Sequence, residues 1–224
     1  TGFRRVLFRS LPKRFYAHTS EAIDFRSLRG RSIAVIGSAA SAFDAAAVAL
    51  EAGARDVHLF ARRETLASLP VIRIRGYPGA YDNYGALPDA VRWHQAIRFR
   101  QAGSTPPPDA ISRAVSFPNF HLHLGAPWTS ARLQGVRPVA ETPHGEFGFD
   151  FAIAGTGYAV SLGAQAELRD FADDILLWRD RFAPPADQRD ETLAAYPYLG
   201  SGHEYLEKVP GRAPYLRDIH VFNP

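Results

Sequence analysis

Two different spacings of apolar residues follow one another in the first part of the chain, and together they predict an α/β unit. Ser32-Ile33-Ala34-Val35-Ile36 is a short apolar run rich in β-branched residues, as a strand buried on both faces requires. Gly37 ends it. Ser41 to Ala52 is apolar nearly all round, with Asp44 and Glu51 its only charges, and predicts a buried helix; Gly53 follows where a left-handed cap is expected. Asp56-Val57-His58-Leu59-Phe60-Ala61 then supplies a second strand after a short connection. The order is strand, turn, helix, strand.

Elsewhere the pattern changes. Residues Leu11 to Gly30 have no period and predict a connector, and Val71 to Gly85, crowded with Gly, Tyr and Pro, predict a loop. Asp89 to Gly103 places Val91, Trp93, Ile97 and Phe99 at helical spacing. Three consecutive prolines in Ser104 to Asp109 stop that helix and predict a stiff spacer. Beyond them the period becomes two: Phe120 to Leu124, Ala131 to Gln134, Val136 to Glu141 and Phe147 to Ala154 predict an antiparallel meander turned at points such as Pro143-His144-Gly145. After Tyr158 a helix is expected near Ala164 to Phe171, among loops rich in proline and tyrosine.

Composition narrows the functional classes. The 26 basic and 23 acidic residues nearly balance and are scattered, so no nucleic-acid partner is expected. No apolar run approaches the ~20 residues of a membrane span, and the opening stretch lacks a secretion signal, so a cytoplasmic protein away from membranes is expected. The absence of cysteine excludes disulfides, thiolate zinc sites, iron-sulfur clusters and dithiol redox pairs from this chain. Lys13 and Lys208 are the only lysines and alanine is abundant, which suggests a GC-rich bacterial gene. Residues 1–10 are expected to be foreign to the protein, because Arg5-Val6-Leu7-Phe8-Arg9-Ser10 matches one translated frame of a common sequencing adapter. The lack of methionine and a strand-like pattern beginning only at Ile219 predict that the chain is a piece of a longer protein.

Gly37-Ser38-Ala39-Ala40-Ser41-Ala42 stands where a dinucleotide fold has G-x-G-x-x-G/A, after a buried strand and opening a helix. The first glycine permits the tight turn, the middle one admits the pyrophosphate, and the last small residue allows close packing of helix on strand. Amides and dipole at the helix start then hold negative charge. Ala39 replaces the middle glycine, and its methyl is expected to push a pyrophosphate outward unless the loop shifts. Two plainer readings stand beside this one: a βαβ turn without ligand, and helix capping by Ser41 and Asp44. About twenty residues on, where an NAD site usually carries an acidic residue, the chain has Arg62-Arg63, which suits a 2′-phosphate and predicts preference for NADP(H). The alternative is a solvated pair with Glu64 neutralising one of them.

His18-Thr19-Ser20, the Gly30-Arg31-Ser32 lead, the Gly37 turn with Phe43-Asp44, and Phe149-Asp150-Phe151-Ala152-Ile153-Ala154-Gly155-Thr156-Gly157-Tyr158 form an ordered set. The set resembles the flavin-containing monooxygenases, with their Baeyer-Villiger and N-hydroxylating relatives. That resemblance implies an NADP-binding Rossmann-like domain with its β-meander at 31–154, after a connector at 11–30. Residues 155–224 would then be an incomplete part of an FAD-binding domain. It further implies NADP(H) and FAD as cofactors, the latter held largely by a region outside this chain, with a small molecule and O2 as partners. Gly155, Thr156 and Gly157 would lie between two nucleotide domains. The family pattern has Phe and Gly before its histidine, where this chain has Pro12 and Arg14. A flavin-dependent reductase without oxygenation and a non-catalytic nucleotide sensor remain as alternatives, and assembly into a homo-oligomer is left open. No residue stands out as an acid, base or nucleophile.

Other residues carry weaker signals. His121 and His123 share a face of their strand but lack a third metal ligand, and read as paired polar residues on a solvated face. Trp93 and Trp178 read as core residues. Tyr196, Tyr198, His203 and Tyr205 lie in a loop whose composition is common.

Overall fold

The computed structural model describes residues 8, 10–68, 79, 83–157 and 161–221. In chain order its main elements are β1 (Tyr16–His18), β2 (Ser32–Ile36), α1 (Ala40–Glu51), β3 (Asp56–Phe60), α2 (Asp89–Ala102) and α3 (Pro108–Val115). Then come β4 (Phe120–His123), β5 (Ser130–Gln134), β6 (Arg137–Thr142), β7 (Gly145–Gly148) and β8 (Phe151–Ala154), followed by short helices α4 (Trp178–Arg181) and α5 (Glu191–Ala194). They form two compact units, Thr1–Pro70 with Gly103–Tyr158, and Val71–Ala102 with Ala159–Pro224.

The first unit is built on a five-stranded sheet in the order β1-β8-β2-β3-β4, with every pairing parallel. Alternation along its strands feeds two cores. Ile33, Val35, Val57, Leu59 and Ile153 face helices, packing on Phe43, Ala46 and Leu50 of α1 and on Ala110 and Ala114 of α3. Ala34, Ile36, Phe60, Ala152 and Ala154 face the other way, toward Trp128, Ala131, Ala140 and Phe149 around the antiparallel sheet β5-β6-β7. This double burial is why Ser32 to Ile36 is apolar without interruption. Phe8 is buried on the same side, stacked on Tyr16 at 4.5 Å. At the end of α1, Gly53 takes φ +89°, and Ala54 N donates to Ala49 O at 3.0 Å, the expected glycine cap.

Four expectations need correction. Phe120 to Leu124 is not in the meander: β4 pairs parallel with β3, because the proline spacer continues as α3 and makes a crossover back to the same side of the sheet. Pro108 sits in the first turn of α3, where its missing amide hydrogen costs nothing. Phe147 to Ala154 is two strands. β7 ends the meander, and β8 enters the parallel sheet after Asp150, whose carboxylate accepts from Ser32 N at 2.8 Å. The connector contains β1, which pairs with β8. Finally, no α-helix forms over Ala164 to Phe171: Leu162–Ala164 is a single 3-10 turn and further turns follow.

The second unit takes the helix read at Asp89 to Gly103, because its apolar face matches the C-terminal segment. Trp93 and Ile97 pack with Trp178 and Leu193, and Trp93 Nε1 donates to Gln188 O at 2.9 Å. Arg92, 6% exposed, lies among Tyr84, Trp178 and Tyr198, with the ring centroids 4.7–5.3 Å from its guanidinium. A second cluster gathers Leu162, Leu168, Ile175, Tyr205, Ala213 and Leu216. Most of the loop read over Val71 to Gly85 lies outside the described residues. No described helix is long and apolar enough to cross a membrane.

Candidate nucleotide site

The sheet has its switch point between β2 and β8, because the chain leaves β2 toward β3 on one side and returns as β8 on the other. In open parallel sheets a crevice opens there at the carboxyl ends of the strands. Gly37 ends β2 at that crevice, and Gly155 ends β8.

The two glycines and Ala42 form one close contact. Gly37 has φ +129°, a value L side chains rarely adopt, and a Cβ on it would overlap the Gly155 carbonyl. A Cβ on Gly155 would lie 2.9 Å from Ala42 Cβ and 3.0 Å from its Cα. Gly155 N donates to Ile36 O at 2.7 Å and Gly37 N to Phe60 O at 3.0 Å, so three strand ends are joined here. The role expected of the last small residue of the turn, close packing of helix on strand, therefore falls to Ala42 against Gly155.

The turn itself offers amides. The N-cap of α1 is Ala39, which has no side chain to satisfy the helix start. Among the described residues the backbone N–H groups of Ser38, Ala39, Ala40 and Ser41 have no hydrogen-bond partner. Helix capping by Ser41 and Asp44 is thus corrected: both lie inside the helix, and Asp44 instead faces Arg113 at 3.9 Å. Ala39 has φ −101° and ψ −178°, extended backbone that alanine adopts without strain. The missing middle glycine therefore costs the turn nothing conformationally.

The two arginines differ in setting. Arg62 is exposed and forms no ion pair among the described residues. The Arg63 guanidinium packs against Gly103, whose added Cβ would meet Nη2 at 2.9 Å.

The return segment is held by His18. This side chain is 3% exposed, with Nε2 3.1 Å from Gly157 O and Nδ1 accepting from Ser20 N at 3.1 Å. With Nδ1 accepting, the ring proton sits on Nε2 and is donated to Gly157. Between these anchors the Thr156 hydroxyl is buried, with no hydrogen-bond partner among the described residues. A buried hydroxyl normally finds one, so it is a candidate ligand contact. Tyr158 lies outside the described residues.

Sequence reasoning missed His58. It lies on β3 opposite His121, with Nδ1 2.9 Å from His123 Nε2, and only strand pairing reveals that neighbourhood. Burial, followed by the positive potential of His58 and His121, holds the His123 imidazole down at about 4. Thus His123 is not the solvated surface group expected. Among the described residues no group of three or more side chains is arranged to hold a metal ion. Trp93 and Trp178 lie in the second unit's core, with ring centroids 5.6 Å apart. Tyr205 is buried there as well.

No family model matches the chain. It is 36% identical over 214 residues to an FAD-dependent urate hydroxylase of Xanthomonas campestris, covering 96% of this chain and 45% of that protein. It superposes on an L-lysine 6-monooxygenase from Pseudomonas syringae with a TM-score of 0.63 and 15% identity, over 89% of this chain and 50% of the other. A Kutzneria ornithine N-hydroxylase solved with reduced FAD, NADP+ and L-ornithine gives a TM-score of 0.56 at 16% identity, over 88% and 50%. The chain spans about half the length of each of these proteins. In sequence the chain is thus similar to that urate hydroxylase, and in fold to the lysine and ornithine hydroxylases, in each case over about half of the other protein.

Proposed function

We propose that the chain is the NADPH-binding portion of a bacterial, cytoplasmic, flavin-dependent monooxygenase acting on a small molecule. The observation that carries the reading is the convergence of the Gly37 turn, its unpartnered amides and the Gly155–Gly157 return at the switch point of the sheet. The urate hydroxylase at 36% identity supports the oxygenating branch over a reductase or a silent sensor.

Each residue then has a role. The amides of Ser38 to Ser41 receive the pyrophosphate at the start of α1, where the helix dipole favours negative charge. Ala42 and Gly155 keep helix and strands close enough for those amides to converge. Arg62 is free to reach a 2′-phosphate, while Arg63, packed on Gly103, shapes the turn that presents it. The Thr156 hydroxyl and the Gly157 backbone form the wall on the β8 side. NADPH held by these residues would supply hydride chemistry, and FAD in the complete protein would supply the chemistry that uses O2. FAD is held largely by parts of the protein that this chain does not span.

Calorimetric titration of this chain with NADP+ and NAD+ tests the cofactor. NADP+ is expected to bind at least about tenfold more tightly, and Arg62→Ala to remove about 1.5–3 kcal/mol of that preference, the worth of charge-assisted hydrogen bonds. Arg63→Ala should remove less. Comparable affinity for both nucleotides in the unsubstituted chain overturns the NADP reading. For the complete protein, NADPH oxidation coupled to oxygen uptake is expected, and a flavin-free protein that consumes neither refutes the monooxygenase.

A further inference from the structure

The register pairing His58 with His121 and Phe60 with His123 puts all four rings on the meander side of the sheet. His58 stacks on His121 at 4.5 Å and on His123 at 5.2 Å, while His123 stacks on Phe60 at 4.7 Å and meets the edge of Phe147 of β7 at 4.8 Å. Charged groups surround them on each side. Asp56 of β3 lies 3.4 Å from His58 Nε2 and also binds Arg55 and Ser32. His144 in the β6–β7 turn faces His123, and Glu146 of β7 is paired with Arg132 of β5 at 2.6 Å.

The bond between His58 Nδ1 and His123 Nε2, 2.9 Å long, needs one proton between the two nitrogens. Asp56 favours the proton of neutral His58 on Nε2, which leaves Nδ1 to accept and His123 Nε2 to donate. Two imidazolium rings would oppose two N–H groups and break the bond. Immediately after these strands the backbones lock together. Ala61 N donates to His123 O, Ala126 N to Ala61 O and Gly125 N to Arg63 O, each at 2.8 Å. Arg62 sits inside that lock.

We infer that His58 and His123 are positioning residues, a proton-sharing strut that holds the Ala61–Arg63 turn and so sets the 2′-phosphate selectivity supplied by Arg62. This inference rests on the NADP reading above. Burial and the neighbouring histidines keep His58 below its ordinary value and His123 at about 4. Released imidazoles titrate near 6.5. The opened turn therefore binds more protons than the closed one between about pH 6.5 and 4, and acid favours opening across that window.

The test has a cofactor-free arm. Hydrogen-exchange protection of the Ala61 and Ala126 amides, corrected for intrinsic rates, should fall about tenfold or more between pH 7 and pH 5. In His123→Phe, which keeps a ring against Phe60 and Phe147, it should change much less. Protection that does not fall in the unsubstituted chain, or that falls equally in both, overturns the strut. The second arm is the NADP+ affinity of both chains over the same range. The 2′-phosphate itself takes up a proton near about pH 6, so the difference between the chains is what counts. A steeper acid loss in the unsubstituted chain supports the strut, and equal slopes overturn its link to selectivity. If NADP+ binds neither chain while the amide protection still falls as expected, the strut stands and the nucleotide reading fails.

Discussion

Single atoms decide the Gly37 turn. Gly37 and Gly155 are glycines for different reasons: the first needs both its backbone angle and the space, whereas the second needs only the space beside Ala42. Gly155→Ala is therefore expected to destabilise by about 1–3 kcal/mol, the range for overpacking, in chemical denaturation. Gly37→Ala should cost more, since it adds conformational strain to an overlap with rigid backbone. Loss of stability in Gly155→Ala comparable to an exposed surface substitution would contradict the packing described. The turn glycine was legible from its place after a buried strand. The partner that makes it necessary lies more than a hundred residues away and has no local signature.

At the level of elements, the sequence signals held where a period is set by local burial and failed where partner choice mattered. β2, α1 and β3 follow from apolar spacing because both faces of the strands are buried. β4 and β8 read as meander strands in the sequence because alternation over four residues reports a half-buried strand and says nothing of its direction or neighbour. The proline run hides α3, since it reads as a stop although proline is also suited to a helix start. α2 was recognised, but its allegiance to the C-terminal segment depends on Trp93 meeting Trp178 and Leu193. Trp93→Ala should cost that unit about 3–5 kcal/mol and remove its near-ultraviolet circular dichroism contribution. A fully retained tryptophan signal from Trp178 and an unchanged denaturation midpoint would refute that packing.

For the whole molecule the titrating groups predict a stability profile with two acid windows. His58 and His123 are lowered, chiefly by burial, so the folded state stays neutral while the unfolded state takes up protons below about 6.5. Stability is expected to decline first between about pH 6.5 and 4. Asp56, Asp180 and Asp190 lie below their ordinary value; burial opposes the shift, and hydrogen bonds prevail, from Ser32 and then Arg55 to Asp56, from Lys208 and then the Leu177 amide to Asp180, and from the Leu193 amide and then Arg100 to Asp190. Their contribution is full above the ordinary carboxylate range and is lost below about pH 4. Thermal melts across pH 7 to 3 should show both losses, and replacing His58 and His123 by Phe should flatten only the first. A midpoint constant from pH 7 to 4.5 would contradict the neutral-histidine assignment.

The amino-acid sequence by itself determined the parts whose cause is local: the doubly buried strand, the glycine-capped helix, the glycine turn between them, and the arginines after the next strand. Each follows from burial period or backbone permission within a few residues. It also excluded cysteine chemistry outright. Tertiary structure alone decided which strands are neighbours, that Gly155 exists for Ala42, that Arg62 and Arg63 are unequal, and that three histidines from two strands meet. Those facts arise from contacts between segments far apart in the chain, where the energy of a close approach depends on partners that no local pattern records.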